Sequence, residues 1–570
     1  MTLCACKQEI DLDPLDNRAP IEARVRPKAI VGGTLTLGEG VAVAADPDRD
    51  VVYVVDLETR KLRHTIALEA GDEPGRVVIA DGKAHVVLRS AGSIASIALA
   101  DGSLTRHALC PEPRGLAHDS DNAALWVACA DGDLVQLDAA TGDELDRTML
   151  EPDLRDVVVH DGEVVVSLFR SAQLRDVEGK RVGPPDLDTF VPHVAWRTFE
   201  SGRAGGIVML HQLTSTEKVP IEPEPDDIGE GEDLPYGGGG GSSCEPGLSV
   251  PTITVVGADD ELLGTLPIAN AQLTVDAAVA HGDPWVALAM PGAEEKHRTM
   301  RIVPLTGTPC FGDEGDEDEP HHPLAQVQIT SVAFTEGDTL VMLSREPAQL
   351  LFQDGLPDGE VEAIDLGGES RFDSGHEIFH RATDSGLSCA TCHPEGTDDG
   401  HVWRFETLGD RRTQPLDISL KDTAPFHWNG DMEDVDMLMS EVLAHRMGGR
   451  RQSEARSASF QSWLFEQERP PARIGGDDPL VPEGEALFQS YGCDKCHGGV
   501  ELGGPNTETF MADRLQVPSL RRVALRPPFM HDGRSATLEN AVEDMIEKTT
   551  ATTDAPPEDV DALAAYLRTL

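Results

Sequence analysis

The feature that most limits the folds open to this chain is a repeat: between Val31 and Leu366, short β-rich runs return at a nearly constant spacing. Val51-Val52-Tyr53-Val54-Val55-Asp56-Leu57-Glu58-Thr59 has the same build as Leu134-Val135-Gln136-Leu137-Asp138-Ala139-Ala140-Thr141-Gly142, an apolar strand running into Asp-x-x-Thr. Leu125 to Gly132 is a further run of this kind. Asp-Gly, Pro-Asp and Asp-Pro pairs separate the runs, and these are turn formers. Units begin near Gly40, Gly75, Gly115 and Leu154, at gaps of 35, 40 and 39 residues, with less regular ones near Val194, Thr274 and Ser331. A period of roughly 40 residues is that of one four-stranded propeller blade. Such a ring has to close to remove its free edges, so the seven units predict a seven-bladed β-propeller over 31–366. The run resembles bacterial propellers of the YVTN repeat type, with degenerate signatures.

Two stretches interrupt the pattern and read as solvated insertions. One, 222–247, carries Glu-Pro repeats and five consecutive glycines, Gly237 to Gly241. The other, 312–322, is acidic and ends in His321 and His322. It would suit a hard cation or zinc, although charge runs more often simply face water. Near Gly367 the composition shifts to helical segments such as Phe372 to Ala382, Val435 to Arg446 and Glu558 to Leu570. The expected fold is therefore mostly β plus α, a propeller followed by two α-helical modules, 367–475 and 476–570, with 1–30 as an N-terminal tail. The full length of 570 residues has room for all of these.

The last third also holds the chemistry. Cys389-Ala-Thr-Cys392-His393 and Cys493-Asp-Lys-Cys496-His497 are two Cys-x-x-Cys-His strings. In such a string the thiols form thioethers to the vinyl groups of a haem and the histidine ligates its iron. Two of them predict two covalently bound haem c groups and a redox protein matured outside the cytoplasm. Disulfides are permitted there too, and Cys110 with Cys129 and Cys244 with Cys310 are the pairings considered, though spacing does not decide connectivity. Leu3-Cys4-Ala5-Cys6 resembles the tail of a bacterial lipobox, with Cys6 as the lipidated residue, or else holds two stray cysteines. The expected location is the periplasm or cell surface of a Gram-negative bacterium, with membrane contact only through that anchor. No run approaches the ~20 apolar residues of a spanning helix. A net charge of −54 excludes nucleic acid as a partner. It would suit a small cationic electron carrier, such as a basic cytochrome or a cupredoxin, or simply keep the surface solvated.

Each string has a matching downstream segment. Thr413-Gln414-Pro415-Leu416 leads to Ala424-Pro425-Phe426-His427-Trp428-Asn429-Gly430, and Val517-Pro518-Ser519-Leu520 leads to Pro527-Pro528-Phe529-Met530-His531-Asp532-Gly533. Pro415 to Trp428 and Pro518 to His531 both span 13 residues, so the region is an internal duplication. With Gly-Leu-Ser-Cys-Ala-Thr-Cys-His, His-Trp-Asn-Gly and Pro-Phe-Met-His-Asp-Gly-Arg, the stretch from Arg371 to Leu570 resembles the bacterial dihaem cytochrome c peroxidases and the related dihaem oxidases that mature methylamine dehydrogenase. The resemblance implies one high-potential electron-transfer haem and one that reacts with hydrogen peroxide.

It further implies Met545 as the second ligand, beside His497, of the electron-transfer haem. A thioether raises the potential. Core packing is the alternative for Met545, and Met530 and Met511 are the other sulfur candidates. The first module has Val442 at the position equivalent to Met545, which cannot bind iron. Trp428 matches the family tryptophan between the haems. The family's distal acid is missing, because Arg446-Met447 stands in its place. Arg446 would stabilise developing charge instead, or His401, His445 or Met447 would close the site as a sixth ligand. The family's calcium site is also put in question, since Arg526 stands where a threonine is expected. The reading is a peroxidase that takes electrons from a periplasmic carrier. Its alternatives are a non-enzymatic electron-transfer or surface-binding cytochrome, or an oxidase of a partner protein.

Overall fold

The computed structural model describes residues 15–179, 181–221, 235–237, 247–269, 271, 273–282, 284–292, 299–307, 324, 327–467, 469, 474–499, 501–511, 513–550 and 555–570. The lipobox-like cysteines, Cys244, Cys310, the 312–322 run and most of the 222–247 insertion lie outside them. From Leu35 to Asp365 the chain forms seven antiparallel sheets in sequence order, each built from neighbouring strands. Six have four described strands; the sixth has three, Asp276–Val279, Trp285–Ala289 and Met300–Pro304. The first strands of successive sheets stand side by side, and that of the seventh, Ile329–Phe334, packs on that of the first, Leu35–Gly38. Thr34 N donates to Ser331 Oγ across this join at 2.9 Å. The ring is a seven-bladed propeller.

Its cohesion comes from the faces between blades. Strands such as Val41–Asp46 and Val51–Asp56 are apolar on both faces because each blade is covered by a neighbour on both sides. Separate apolar clusters fill the gaps, for example Val43, Val54, Val86 and Ile97 between the first two blades. Leu35, Tyr53, Leu343 and Phe352 fill the gap between the first and last. The Asp-x-x-Thr signature closes the turns into the outermost strands. Thr59 N and Thr141 N each donate to the preceding aspartate, Asp56 or Asp138, at 2.7 Å. The short side chain mimics a backbone turn. The unit expected near Gly40 begins earlier, at Leu35, because Gly40 lies in the turn between the first two strands. Cys110 and Cys129 form a disulfide that ties the start of the third blade to its second strand.

The helical region does not hang from the propeller by a tether. One apolar cluster runs from blades five to seven (Trp196, Val208, Leu288, Met342) into Ile378, Phe379, Leu443, Phe460 and Trp463. Segment 15–33 stitches the two together: Trp463 Nε1 donates to Pro27 O at 2.9 Å and Ser374 N to Ile21 O at 2.8 Å. The helices expected from the sequence are present as Ser374–His380, Val435–Leu438 continued by a wider-wound turn Met439–Arg446, and Pro557–Arg568. The second cysteine string has its own core of Phe488, Phe529, Val542, Ile546 and Leu563. Among the described residues no helix is long and apolar enough to cross a membrane.

Candidate functional site

Each Cys-x-x-Cys-His string sits on a tight helical turn. Ser388 starts the helix Cys389–Cys392, its N–H bonded to Thr391 Oγ1 at 3.0 Å. Gly492, at φ +78°, admits the turn Cys493–Lys495. Both turns end alike: His393 N donates to Cys389 O, and His497 N to Cys493 O, at 2.8 Å. The four thiols are free. The imidazoles are also prepared. His393 Nδ1 lies 3.3 Å from Thr397 O, and His497 Nδ1 lies 3.2 Å from Leu502 O and 3.1 Å from Pro518 O. A carbonyl there requires the proton on Nδ1 and leaves the Nε2 lone pair for a metal. Burial pushes His393 down to about 4 and lowers His497 as well, so both rings stay neutral. Thiols, tautomer and charge state fit covalently bound haem c at each string.

The two halves repeat in structure. Each has a hairpin, Val402–Phe405 with Gly409–Arg412 and Thr507–Phe510 with Asp513–Gln516. Each has an isolated bridge, Phe426 to Met432 and Phe529 to Ser535. They dock reciprocally. A β-carbon on Gly430 would stand 2.5 Å from Thr507 Cγ2, and one on Gly533 would stand 2.5 Å from Val402 Cγ2. Trp428 lies in this seam. Its Nε1 donates to Arg412 O at 2.6 Å, its carbonyl accepts from Gln516 N at 2.7 Å, and its ring meets His531 edge-on at 6.1 Å.

Arg446 is buried at the end of the wide turn Met439–Arg446. Met447 N reaches back to Val442 O, and this wider winding is what brings the guanidinium inward. Its Nη1 donates to the hydroxyl of Tyr236, from the 222–247 insertion, at 3.5 Å. His445 is exposed beside Glu441, and Met447 is buried. His401 is buried with both ring nitrogens engaged, Nδ1 2.9 Å from His193 Nε2 and Nε2 3.2 Å from Ser215 O. It holds the propeller rather than standing free for a metal. Met545 is half-buried on the helix Leu538–Thr549, Met530 packs on the second module's core, and Met511 is 59% exposed. Arg526, buried between the halves, donates to Asp417 Oδ1 at 2.9 Å, so a fixed cation occupies that part of the seam.

A second cluster was not foreseen from the sequence. Arg76, Arg114 and Arg155 lie on the innermost strands of blades two to four and are buried. Glu395, two residues after His393, inserts among the propeller arginines, 2.5 Å from Arg89 Nη2 and 2.6 Å from Arg155 Nη2. Asp398 takes Arg170 at 3.0 Å and Arg412 at 2.8 Å. Glu112 and Asp417 hold Arg522. The only signal was the recurrence of Arg near the start of three inner strands. Tyr236 was missed as well. Its signal was an aromatic residue, one of only four tyrosines, inside a glycine-rich acidic stretch.

Comparison with known proteins agrees with this geometry. Residues 479–567 match the family described as cytochrome C oxidase, cbb3-type, subunit III. The chain is 30% identical over 379 residues to the cytochrome c peroxidase Ccp of Escherichia coli, covering 54% of this chain and 77% of that protein. It is 32% identical over 111 residues to the cytochrome c551 peroxidase of Nitrosomonas europaea, 15% of this chain and 33% of that one. It is 27% identical over 225 residues to the methylamine utilization protein MauG of Methylorubrum extorquens, 28% of this chain and 63% of that one.

Proposed function

Because the chain belongs to the cytochrome c peroxidase family, we propose that it binds two haems c and reduces hydrogen peroxide at the first string with electrons that enter through the second. The divisions 31–366, 367–475 and 476–570 are then propeller, peroxide-reacting module and electron-entry module. Cys389 and Cys392, and Cys493 and Cys496, would anchor the two groups, His393 and His497 would ligate their irons, and Met545 would be the further ligand of the second. When bound, haem iron would supply the redox chemistry by which the O–O bond is reduced. Trp428 bridges the halves, and Arg446 places a fixed positive charge where negative charge develops. The disulfide Cys110–Cys129 fits an oxidising compartment, the periplasm or cell surface. The net charge of −54 suits a small cationic carrier as donor.

The observation that carries this reading is the seam: Trp428 of one half is hydrogen-bonded inside its own module and in ring contact with His531 of the other. A haem-stained gel and intact mass should show two covalent groups. Spectroscopy of the half-reduced protein then decides the activity. The expected result is an open, high-spin first haem that consumes peroxide. Two irons that both stay low-spin and bind neither cyanide nor peroxide would leave an electron-transfer protein instead.

A further inference from the structure

The family's distal acid is absent, yet cleaving peroxide still needs a proton at the departing oxygen. The structure brings one group to this place that the module itself does not encode. Tyr236 belongs to the propeller's insertion, but its N–H donates to Arg446 O at 3.0 Å and its hydroxyl faces Arg446 Nη1 at 3.5 Å. Its ring leans on Phe405, centroid to centroid 6.3 Å, on the hairpin that follows the first string. The Cys392 sulfur and the Asp431 carboxylate lie nearby. Arg446 has a buried Nε–H with no acceptor among the described residues. A buried donor left unmade costs about 1–3 kcal/mol, so the guanidinium is held ready for a small acceptor that arrives later.

We propose that Tyr236 is a catalytic residue of the first site: its hydroxyl gives a proton to the leaving oxygen of hydrogen peroxide while Arg446 neutralises the charge that builds there. The inference rests on the peroxidase reading. The O–O bond breaks and each oxygen leaves as water. The two electrons come from two molecules of the one-electron carrier protein, each oxidised by one electron. One proton comes from Tyr236, which regains it from water, and the other comes directly from water. Burial raises the phenol above its ordinary value, so it carries its proton at neutral pH and acts as a donor. On this account the propeller contributes to the chemistry as well as to the scaffold.

The test is Tyr236→Phe in the haem-loaded full chain, with Tyr236→His as the partner variant that restores a ring N–H. For Tyr236→Phe, peroxide turnover should fall on the order of 10²-fold. Haem content and the second haem's potential should hold, and cyanide should leave the first haem faster because its hydrogen bond is lost. Tyr236→His should recover part of both losses, and it carries the comparison alone if the Phe variant does not fold. Turnover and cyanide release unchanged in Tyr236→Phe, with a parent that does reduce peroxide, overturn Tyr236 and leave the peroxidase reading standing. Equal loss in both folded variants overturns it too, because a proton donor then makes no difference. A parent that never reduces peroxide removes the reading itself and this inference with it.

Discussion

At the scale of single residues, the second Cys-x-x-Cys-His string tests the proposed ligand assignment most directly. Met545 is half-buried beside a core made by Ala541, Val542 and Ile546. A residue needed only for packing would lie with them. Met545→His replaces a thioether by a more basic imidazole, which favours the oxidised metal. A redox titration should show the second haem's potential falling and the first unchanged; an unmoved potential would make Met545 a packing residue. His401 gives the opposite expectation. Its two ring contacts tie the first module to the propeller through His193 and Ser215. His401→Ala should leave the first haem's spectrum intact and lower stability by about 1–3 kcal/mol, read by denaturant unfolding, because buried polar partners are left unmatched.

At the scale of elements, the docking of the two halves rests on two glycines. Gly430 and Gly533 have φ of +61° and +70°, a conformation side chains resist, and each lies under the opposite hairpin. Gly533→Ala should destabilise by about 1–3 kcal/mol through overpacking and slow electron passage between the halves in stopped-flow reduction. Gly533→Ala with Val402→Ala should recover the steric part of the loss. Additive losses would show that the contact does not govern docking. These elements also show what a sequence discloses. The two strings are legible because five consecutive residues contain the whole attachment chemistry. The blades are legible because apolar runs and Asp-x-x-Thr turns are local, and the duplication because both halves keep one spacing. Glu395 meets Arg89 across 306 residues, and Tyr236 meets Arg446 across 210. Nothing in their immediate neighbours records those distances. Reading 222–247 as solvated loop gives no hint of Tyr236's contact for the same reason: composition describes a segment's average and not the one residue that folds back.

At the scale of the whole molecule, the propeller and the haem-binding modules are joined by buried charge. Neighbouring arginines hold Glu112, Glu395 and Asp398 well below the usual carboxylate range, and Glu73 down to about 2, against a burial that alone would raise them. A carboxylate lowered in the folded state adds stability above its unfolded value of roughly 4 and loses it as pH falls through the folded one. Asp153 and Asp399 are instead raised by burial, Asp399 to about 7. Well below their unfolded value of roughly 4 they carry protons in both states and add no slope. The four lowered carboxylates therefore govern the acid limb, and the modules should come away from the propeller as pH falls below ~4, in the range where unfolded carboxylates take up protons. Limited proteolysis and small-angle scattering would detect that separation. Glu395→Gln isolates one member of the set. At pH 7 it leaves Arg89 and Arg155 without their shared anion and should cost about 3–5 kcal/mol. In strong acid, where Glu395 is itself protonated, the variant and the parent should become equally stable. Stability curves that instead run parallel from neutral to acid would show that Glu395 acts through its shape rather than its charge, and the ionic clamp would then not be what joins the two parts.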